Sequence, residues 1–414
     1  MTGPIVIVGA GQAGGRAAEA LRNGGHAGPI TLIGEESHPP YERPALSKDF
    51  LRDGSLDRIA WIRPPSWYEA NSVTLLRGRK AVSIDRDRCR VELDDGSRIA
   101  YEALILTTGA RARPCGIQGA DHPLVSGLRT IEDSARLQPR LVQGAHVVVI
   151  GAGFIGLEVA AAARLRGCSV TVLEQGDLPL MRCLPPFLGR YYAQVHRAHG
   201  VDLRTGIRVL AIADENGRAR VLTASGEVPP ADAVVVGIGI LPNVELARLA
   251  GLEVEDGIIV DEYGRTGDPL IHAAGDVSRH FNPLLGARLR LESWQNAQNQ
   301  AIAVASNVLG AARPYAQLPW FWSDQFDLNL QMVGLPEPDD AVICRGRVDA
   351  GPVLFLHLRR GRLTAAIGLN CARELRIARE IIALGGAAEP GALGDESMSL
   401  AQILADLRRS SRAA

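Results

Sequence analysis

The sequence predicts an α/β protein: two βαβ units of one design, followed by an α+β C-terminal region. Three observations carry that prediction. The chain repeats itself, with PIVIVGAGQAGGRAAEAL at 4–21 and HVVVIGAGFIGLEVAAAA at 146–163. Each copy runs from β-branched residues through GxGxxG into an alanine-rich helical pattern. Each then ends its second strand near an acid, PITLIGEE at 29–36 with Glu35 and SVTVLEQG at 169–176 with Glu174. Beyond residue 320 the pattern changes to short apolar runs broken by glycine turns, then two amphipathic helical stretches.

Length and composition fit this outline. At ~150 residues per domain, 414 residues make two or three domains. A chain 46% hydrophobic and 22% charged is globular rather than disordered. A net charge of -1 gives no bulk grip on nucleic acid. The six cysteines, Cys89, Cys115, Cys168, Cys183, Cys344 and Cys371, form no CxxC or other tight pair. They read as small buried apolar residues of a reducing compartment rather than a metal site or disulfide framework. The N-terminus lacks a positively charged leader, and the longest apolar stretch, 147–163, holds three glycines and Glu158. The expectation is a cytoplasmic protein that neither enters a membrane nor binds a metal.

The first repeat places Gly9, Gly11 and Gly14; the second places Gly151, Gly153 and Gly156. In such a motif the first glycine makes the tight turn, the second lets backbone approach a pyrophosphate, and the third lets helix and strand pack. The helix N-terminus then faces the phosphates. The acid accepts from ribose hydroxyls. Glycines serving only tight packing would be the competing explanation. The parallel continues downstream, where 91–114 and 220–243 each read as a meander with a glycine turn and a buried strand ending in TTG or GIG. Two Rossmann-like dinucleotide-binding domains follow, and two unlike dinucleotides, one flavin and one nicotinamide, would exchange hydride.

The motifs GAGQAG (9–14), YERPALSK (41–48), TTGARARP (107–114), GAGFIG (151–156), GIGILPN (237–243), HAAGD (272–276), ESWQNAQNQA (292–301) and PWFWSDQFD (319–327) extend along the chain. On them the sequence resembles the FAD-dependent, glutathione-reductase-like pyridine nucleotide oxidoreductases. More narrowly, it resembles NADH-dependent ferredoxin reductases of the putidaredoxin-reductase type, which supply cytochrome P450s and Rieske-type oxygenases. RPALSK and FWSDQFD carry most of the narrower resemblance.

The resemblance implies FAD in the first unit and NADH in the second. It implies that Asp276 meets the flavin ribitol, that Thr108 and Gly109 lie against the flavin nucleotide, and that Arg43 lies near its phosphates. Gly239 belongs to the second site. It implies Lys48 at the flavin N5 edge, paired with Glu158 near the nicotinamide carboxamide. Lys48 and Lys80 are the only lysines among 45 basic residues, so a lysine here asks for a reason. A compact ammonium occupies space that a guanidinium fork does not. A solvated lysine and a first-turn helix acid are the plainer alternatives. Glu174 followed by Gln175 favours NADH over NADPH, although Arg182 is near in sequence.

The aromatics Trp294, Trp320, Trp322 and Phe326 either cement domains or line the flavin. Arg288 and Arg290 precede ESW and offer a docking charge for an acidic [2Fe–2S] ferredoxin, though ordinary solvated arginines explain them better. The disulfide-reductase branch is excluded because 44–51, PALSKDFL, has no cysteine. The rivals left are a rubredoxin, nitrite-reductase or quinone electron supplier, and an NADH-binding redox sensor resembling apoptosis-inducing factor.

The expected organisation is an FAD-binding domain at 1–112 and 246–320, an NAD-binding domain at 113–245 and a C-terminal domain at 321–414. In the last, 341–347, 352–360 and 362–369 read as antiparallel strands. Asn370 is expected to cap a helix through Leu384, 386–396 to form a loose loop, and 397–409 to be an amphipathic helix. His196 and His199 read as a solvated helix face. His357 reads as a structural residue with no neighbouring acid.

Overall fold

A computed structural model describes residues 2–385 and 388–413. The chain divides into two compact units, one of residues 1–45, 55–112 and 240–317, the other of residues 46–54, 113–239 and 318–414.

The first unit is built on a five-stranded parallel sheet ordered Ile271–Ala273, Ala103–Leu106, Ile5–Val8, Ile30–Gly34, Val73–Arg77. Strands Ile5–Val8 and Ala103–Leu106 are apolar at every position because both faces are covered. One face packs on the first-motif helix Gln12–Asn23 and on the helix Trp294–Val308, through Ala17, Leu21, Ala301 and Val304. The antiparallel meander 81–100 lies in this unit, and its Val91 and Leu93 join Val6, Leu104 and Ile258 in a second apolar cluster.

The second unit repeats the design. Its parallel sheet is ordered Val201–Arg204, Ser169–Leu173, His146–Ile150, Ala233–Val236, Val125–Ser126. The second-motif helix Phe154–Leu165 is buried from Gly156 to Ala163, which explains its run of alanines. It packs towards a five-stranded antiparallel sheet ordered Trp320–Gln325, Leu328–Gly334, Arg362–Leu369, Val353–Arg359, Ala341–Arg345. One apolar cluster joins Leu157, Tyr192, Leu330, Phe355 and Ile367, with Leu51 from the 46–54 segment added to it.

Five local expectations are corrected. The cysteines are not uniformly buried: Cys168 and Cys371 are, whereas Cys183 and Cys344 are exposed. Asn370 does not cap the C-terminal helix: Cys371 is the N-cap of Ala372–Ala383, and Asn370 sits in the left-handed region, bonding Asp327 and Asn329 instead. Within 386–396, whose residues 386 and 387 lie outside the described residues, Pro390–Gly394 is a short helix; Pro390 starts it because its missing N–H is unneeded there. His196 is fully buried rather than solvated. His357 has an acid neighbour after all, since Asp340 approaches its Nδ1 to 3.9 Å from the turn before the adjoining strand.

Candidate functional site

Each unit carries its own nucleotide cradle, and each cradle has the same logic. In the first, strand Ile5–Val8 ends at Gly9 with φ 110°, where a Cβ would meet the Thr107 carbonyl oxygen at 2.2 Å. A Cβ on Gly14 would meet the Gly9 oxygen at 1.9 Å. Packing therefore demands glycine at both. It does not demand one at Gly11, where an added Cβ would find only an Arg43 guanidinium nitrogen, at 3.8 Å. Gly11 is also the N-cap of the helix Gln12–Asn23 and offers no side-chain cap. No side chain caps the first N–H groups of the helix, a setting that suits a diphosphate.

The second cradle repeats this. A Cβ on Gly156 would meet the Gly151 oxygen at 2.2 Å, and one on Gly151 the Gly237 oxygen at 2.6 Å. Gly153 caps its helix without a side chain, and its Cβ would have only the Gly237 oxygen, at 3.8 Å. The residues present thus fit two dinucleotides, one per unit.

Around the first cradle, Arg43 binds Glu36 at 2.5 Å and donates to the Tyr41 hydroxyl at 3.0 Å; that hydroxyl donates to Glu36 at 2.6 Å. Asp276 adds its negative charge to the Arg43 surroundings. The turn holding Asp276 is pinned from the helix Trp294–Val308: Gln300 Oε1 accepts from the Gly275 amide at 2.9 Å and from the Ser278 hydroxyl at 2.8 Å. Thr108 donates to the Asn243 carbonyl at 2.7 Å, and the Asn243 amide nitrogen donates to the Gly109 carbonyl. Glu35 stands exposed at the end of its strand, 3.3 Å from Lys80. Trp294 bonds Glu42, whose carboxyl burial raises above the usual carboxylate range against the pull of Arg16 and Trp294.

In the second unit the Glu174 carboxylate accepts from the Ala152 amide at 2.6 Å and from the Gly176 amide at 2.7 Å. It thereby ties the end of its strand to the glycine loop. Arg182 lies beside Gly239, whose φ is 101°. One turn into the motif helix, Glu158 is 3% exposed. Lys48 Nζ lies 2.7 Å from its Oε2, so the pair expected from sequence is formed. Ser47 donates to the same oxygen at 2.5 Å, and Ser323 donates to Oε1 at 2.6 Å.

Sequence reasoning missed Glu36, Tyr41, Ser47 and Ser323. Tyr41 and Ser47 sit inside the quoted YERPALSK motif, Glu36 ends the quoted PITLIGEE, and Ser323 sits inside FWSDQFD. Small hydroxyls with many structural uses gave no signal of their own. Trp320 stacks on Trp322 at 5.1 Å, and Phe154 meets Phe321 at a tilt of 45° with centroids 4.5 Å apart, all within the second unit. Arg290 is engaged by Asp256 and Glu292, and Arg288 by the Val260 carbonyl.

Comparison with known proteins adds the following. Residues 3–301 match the model of the pyridine nucleotide-disulphide oxidoreductase family, and 320–404 match a reductase C-terminal domain. A ferredoxin–NAD(+) reductase component of an anthranilate 1,2-dioxygenase system from Burkholderia cepacia is 46% identical, covering 97% of this chain and 99% of its own. Rhodocoxin reductase from Rhodococcus erythropolis is 44% identical, over 97% of this chain and 94% of its own. Among solved structures, the covalent putidaredoxin reductase–putidaredoxin complex is similar with a TM-score of 0.94 at 37% identity, over 98% of this chain and 99% of that one.

Proposed function

The chain belongs to the pyridine nucleotide-disulphide oxidoreductase family, and from that premise we propose how it works. It is an NADH-dependent ferredoxin reductase with FAD as its flavin, supplying a [2Fe–2S] ferredoxin of an oxygenase or P450 system. When bound, FAD would supply the chemistry that couples a hydride donor to single-electron acceptors, which a nicotinamide does not readily do alone.

The observation that carries the reading is the pair of cradles, each with a middle glycine that no protein atom requires. Gly9, Gly11 and Gly14 with Glu35, Arg43, Thr108, Gly109, Asp276 and Trp294 hold the flavin nucleotide. Gly151, Gly153 and Gly156 with Glu158, Glu174 and Gly239 hold NADH. Glu174 disfavours a 2′-phosphate by charge. Lys48 and Glu158 are the residues assigned to the hydride step. Glu158 accepts from the carboxamide, and Lys48 contributes a positive charge 2.7 Å from the Glu158 carboxylate. Electrons leave without a thiol relay, since residues 44–51 contain no cysteine.

We retain three domains, FAD-binding at 1–112 and 246–320, NAD-binding at 113–245, and C-terminal at 321–414. A cytoplasmic location is supported by six free thiols. Among the described residues no helix is long and apolar enough to cross a membrane.

The test is NADH-driven cytochrome c reduction by the purified yellow protein with and without a panel of [2Fe–2S] ferredoxins. Strong dependence on one ferredoxin is expected. Rapid flavin reduction with no ferredoxin-dependent rate would overturn the assignment and point to another acceptor.

A further inference from the structure

Glu158 is held by more than its lysine. Its Oε1 accepts from the Ser323 hydroxyl at 2.6 Å. Ser323 has one proton to give, and its oxygen in turn receives the Gln325 side-chain N–H at 3.1 Å. The Gln325 carbonyl oxygen faces His196 Nε2 at 2.8 Å, which assigns the proton to that nitrogen. Every link donates in one direction, from His196 to Gln325 to Ser323 to Glu158. Hydrogen bonds aligned in this way polarise one another, and low dielectric strengthens them.

The three donors are 0%, 1% and 0% exposed. Ser323 and Gln325 alternate with exposed Asp324 on one strand, so both point to the same face. His196 comes from the helix Pro186–Ala198, where Leu188 and Tyr192 precede it on one buried stripe. Apolar residues would fill this core with no desolvation cost. Three buried polar side chains that lead to one carboxylate need a reason at that carboxylate.

Acceptor capacity supplies it. An ionised carboxylate has about four acceptor positions. Ser47 and Lys48 take the two on Oε2, and Ser323 takes one on Oε1. We propose that Ser323, Gln325 and His196 are positioning residues: a one-way donor chain that fixes the Glu158 carboxylate so that the remaining position on Oε1 receives the carboxamide N–H of the nicotinamide. This rests on the second motif being the NADH site.

The experiment measures binding to the FAD-loaded protein of NAD+, of its 3-acetylpyridine analogue, whose ketone has no amide N–H, and of ADP-ribose. Wild type is expected to prefer NAD+ over the analogue. Ser323→Ala and Gln325→Met are expected to reduce that preference by about tenfold, the scale of a hydrogen bond to a charged group. ADP-ribose binding should stay unchanged, and Ser323→Thr should restore the preference. Ser323→Ala and Gln325→Met retaining the full preference overturns the donor chain. So does an equal weakening of all three ligands, which would mark a merely structural role. Wild type that binds none of the three refutes instead the placement of the NADH site. Gln325→Met keeps the test decisive should Ser323→Ala fail to fold.

Discussion

Lys48 and Glu158 show what one residue contributes at the site. The Glu158 carboxylate is 2% exposed and the Lys48 side chain 18%. Removing the lysine leaves a buried charge with two hydroxyl donors and no cation. Breaking a buried pair in this way costs about 3–5 kcal/mol. Lys48→Met is therefore expected to lower the unfolding free energy by that order and to slow NADH-dependent flavin reduction. Lys48→Met combined with Glu158→Gln removes both charges and should recover much of the stability but none of the rate. Stopped-flow reduction and denaturant unfolding on the same variants separate the two. Equal stability of single and double variants would sink the account. The lysine was legible in the sequence because arginine fills almost every other basic position. The depth of Glu158 was not, because its hydroxyl partners come from residues 47 and 323, far apart in the chain.

At the scale of elements, the glycines of each motif divide into two kinds. Gly14 and Gly156 let helix and strand pack, and a Cβ at either would lie within 2.2 Å of a carbonyl oxygen. Gly11 and Gly153 keep a helix N-terminus open. Gly14→Ala is expected to yield little folded protein. Gly11→Ala should fold with near-native circular dichroism yet lose bound FAD, read from absorbance of the purified protein. Gly153→Ala should keep FAD and weaken NAD+ binding. Native FAD content in Gly11→Ala would remove the diphosphate role of that turn.

Gln300 makes a further case, since it satisfies both the Gly275 amide and the Ser278 hydroxyl. Gln300→Leu leaves the buried Gly275 amide without its acceptor, at about 1–3 kcal/mol, while the Ser278 hydroxyl keeps the Gly275 carbonyl at 3.1 Å. It should destabilise the first unit and lower its FAD content, as thermal unfolding and absorbance would show.

These elements were also the most readable part of the sequence. Strand, glycine turn and helix recur with their periodicity intact, so local chemistry and tertiary role coincide. The failures lie where they do not. Asn370 has the chemistry of a cap, but a left-handed backbone and a bond to Asn329 across the sheet decide its place. His196 was read by its neighbour His199, whereas the stripe Leu188, Tyr192, His196 at spacing four held the better signal. Asp340 reaches His357 only through the pairing of distant strands.

For the whole molecule, buried histidines set the response to acid. Burial pushes His196, His272 and His280 down to about 4, from about 6.5 for a free side chain. His196 also receives an opposing pull from Gln325, and His272 a further lowering from Arg265. All three are therefore neutral in the folded protein at neutral pH. Between about pH 6.5 and pH 4 the unfolded chain binds more protons at these sites than the folded one. Stability rises with pH wherever the unfolded state holds more protons. It is thus lost as the pH falls through that window and is fully present above it. Two of the three, His272 and His280, lie in the first unit and His196 in the second. Burial also lowers His357, in the second unit, so both units lose stability on acidification. Calorimetry at pH 5 in buffers of different ionisation enthalpy should find about three protons taken up at His196, His272 and His280 on complete unfolding. His280, packed beside the Tyr315 ring at 5.3 Å, has no hydrogen-bond partner on either ring nitrogen among the described residues. His280→Phe should remove about one of these protons and flatten the acid limb of the first transition, leaving the second where it was. An unchanged proton count in that variant would mean that His280 is already charged in the fold, and that burial does not govern the acid limb.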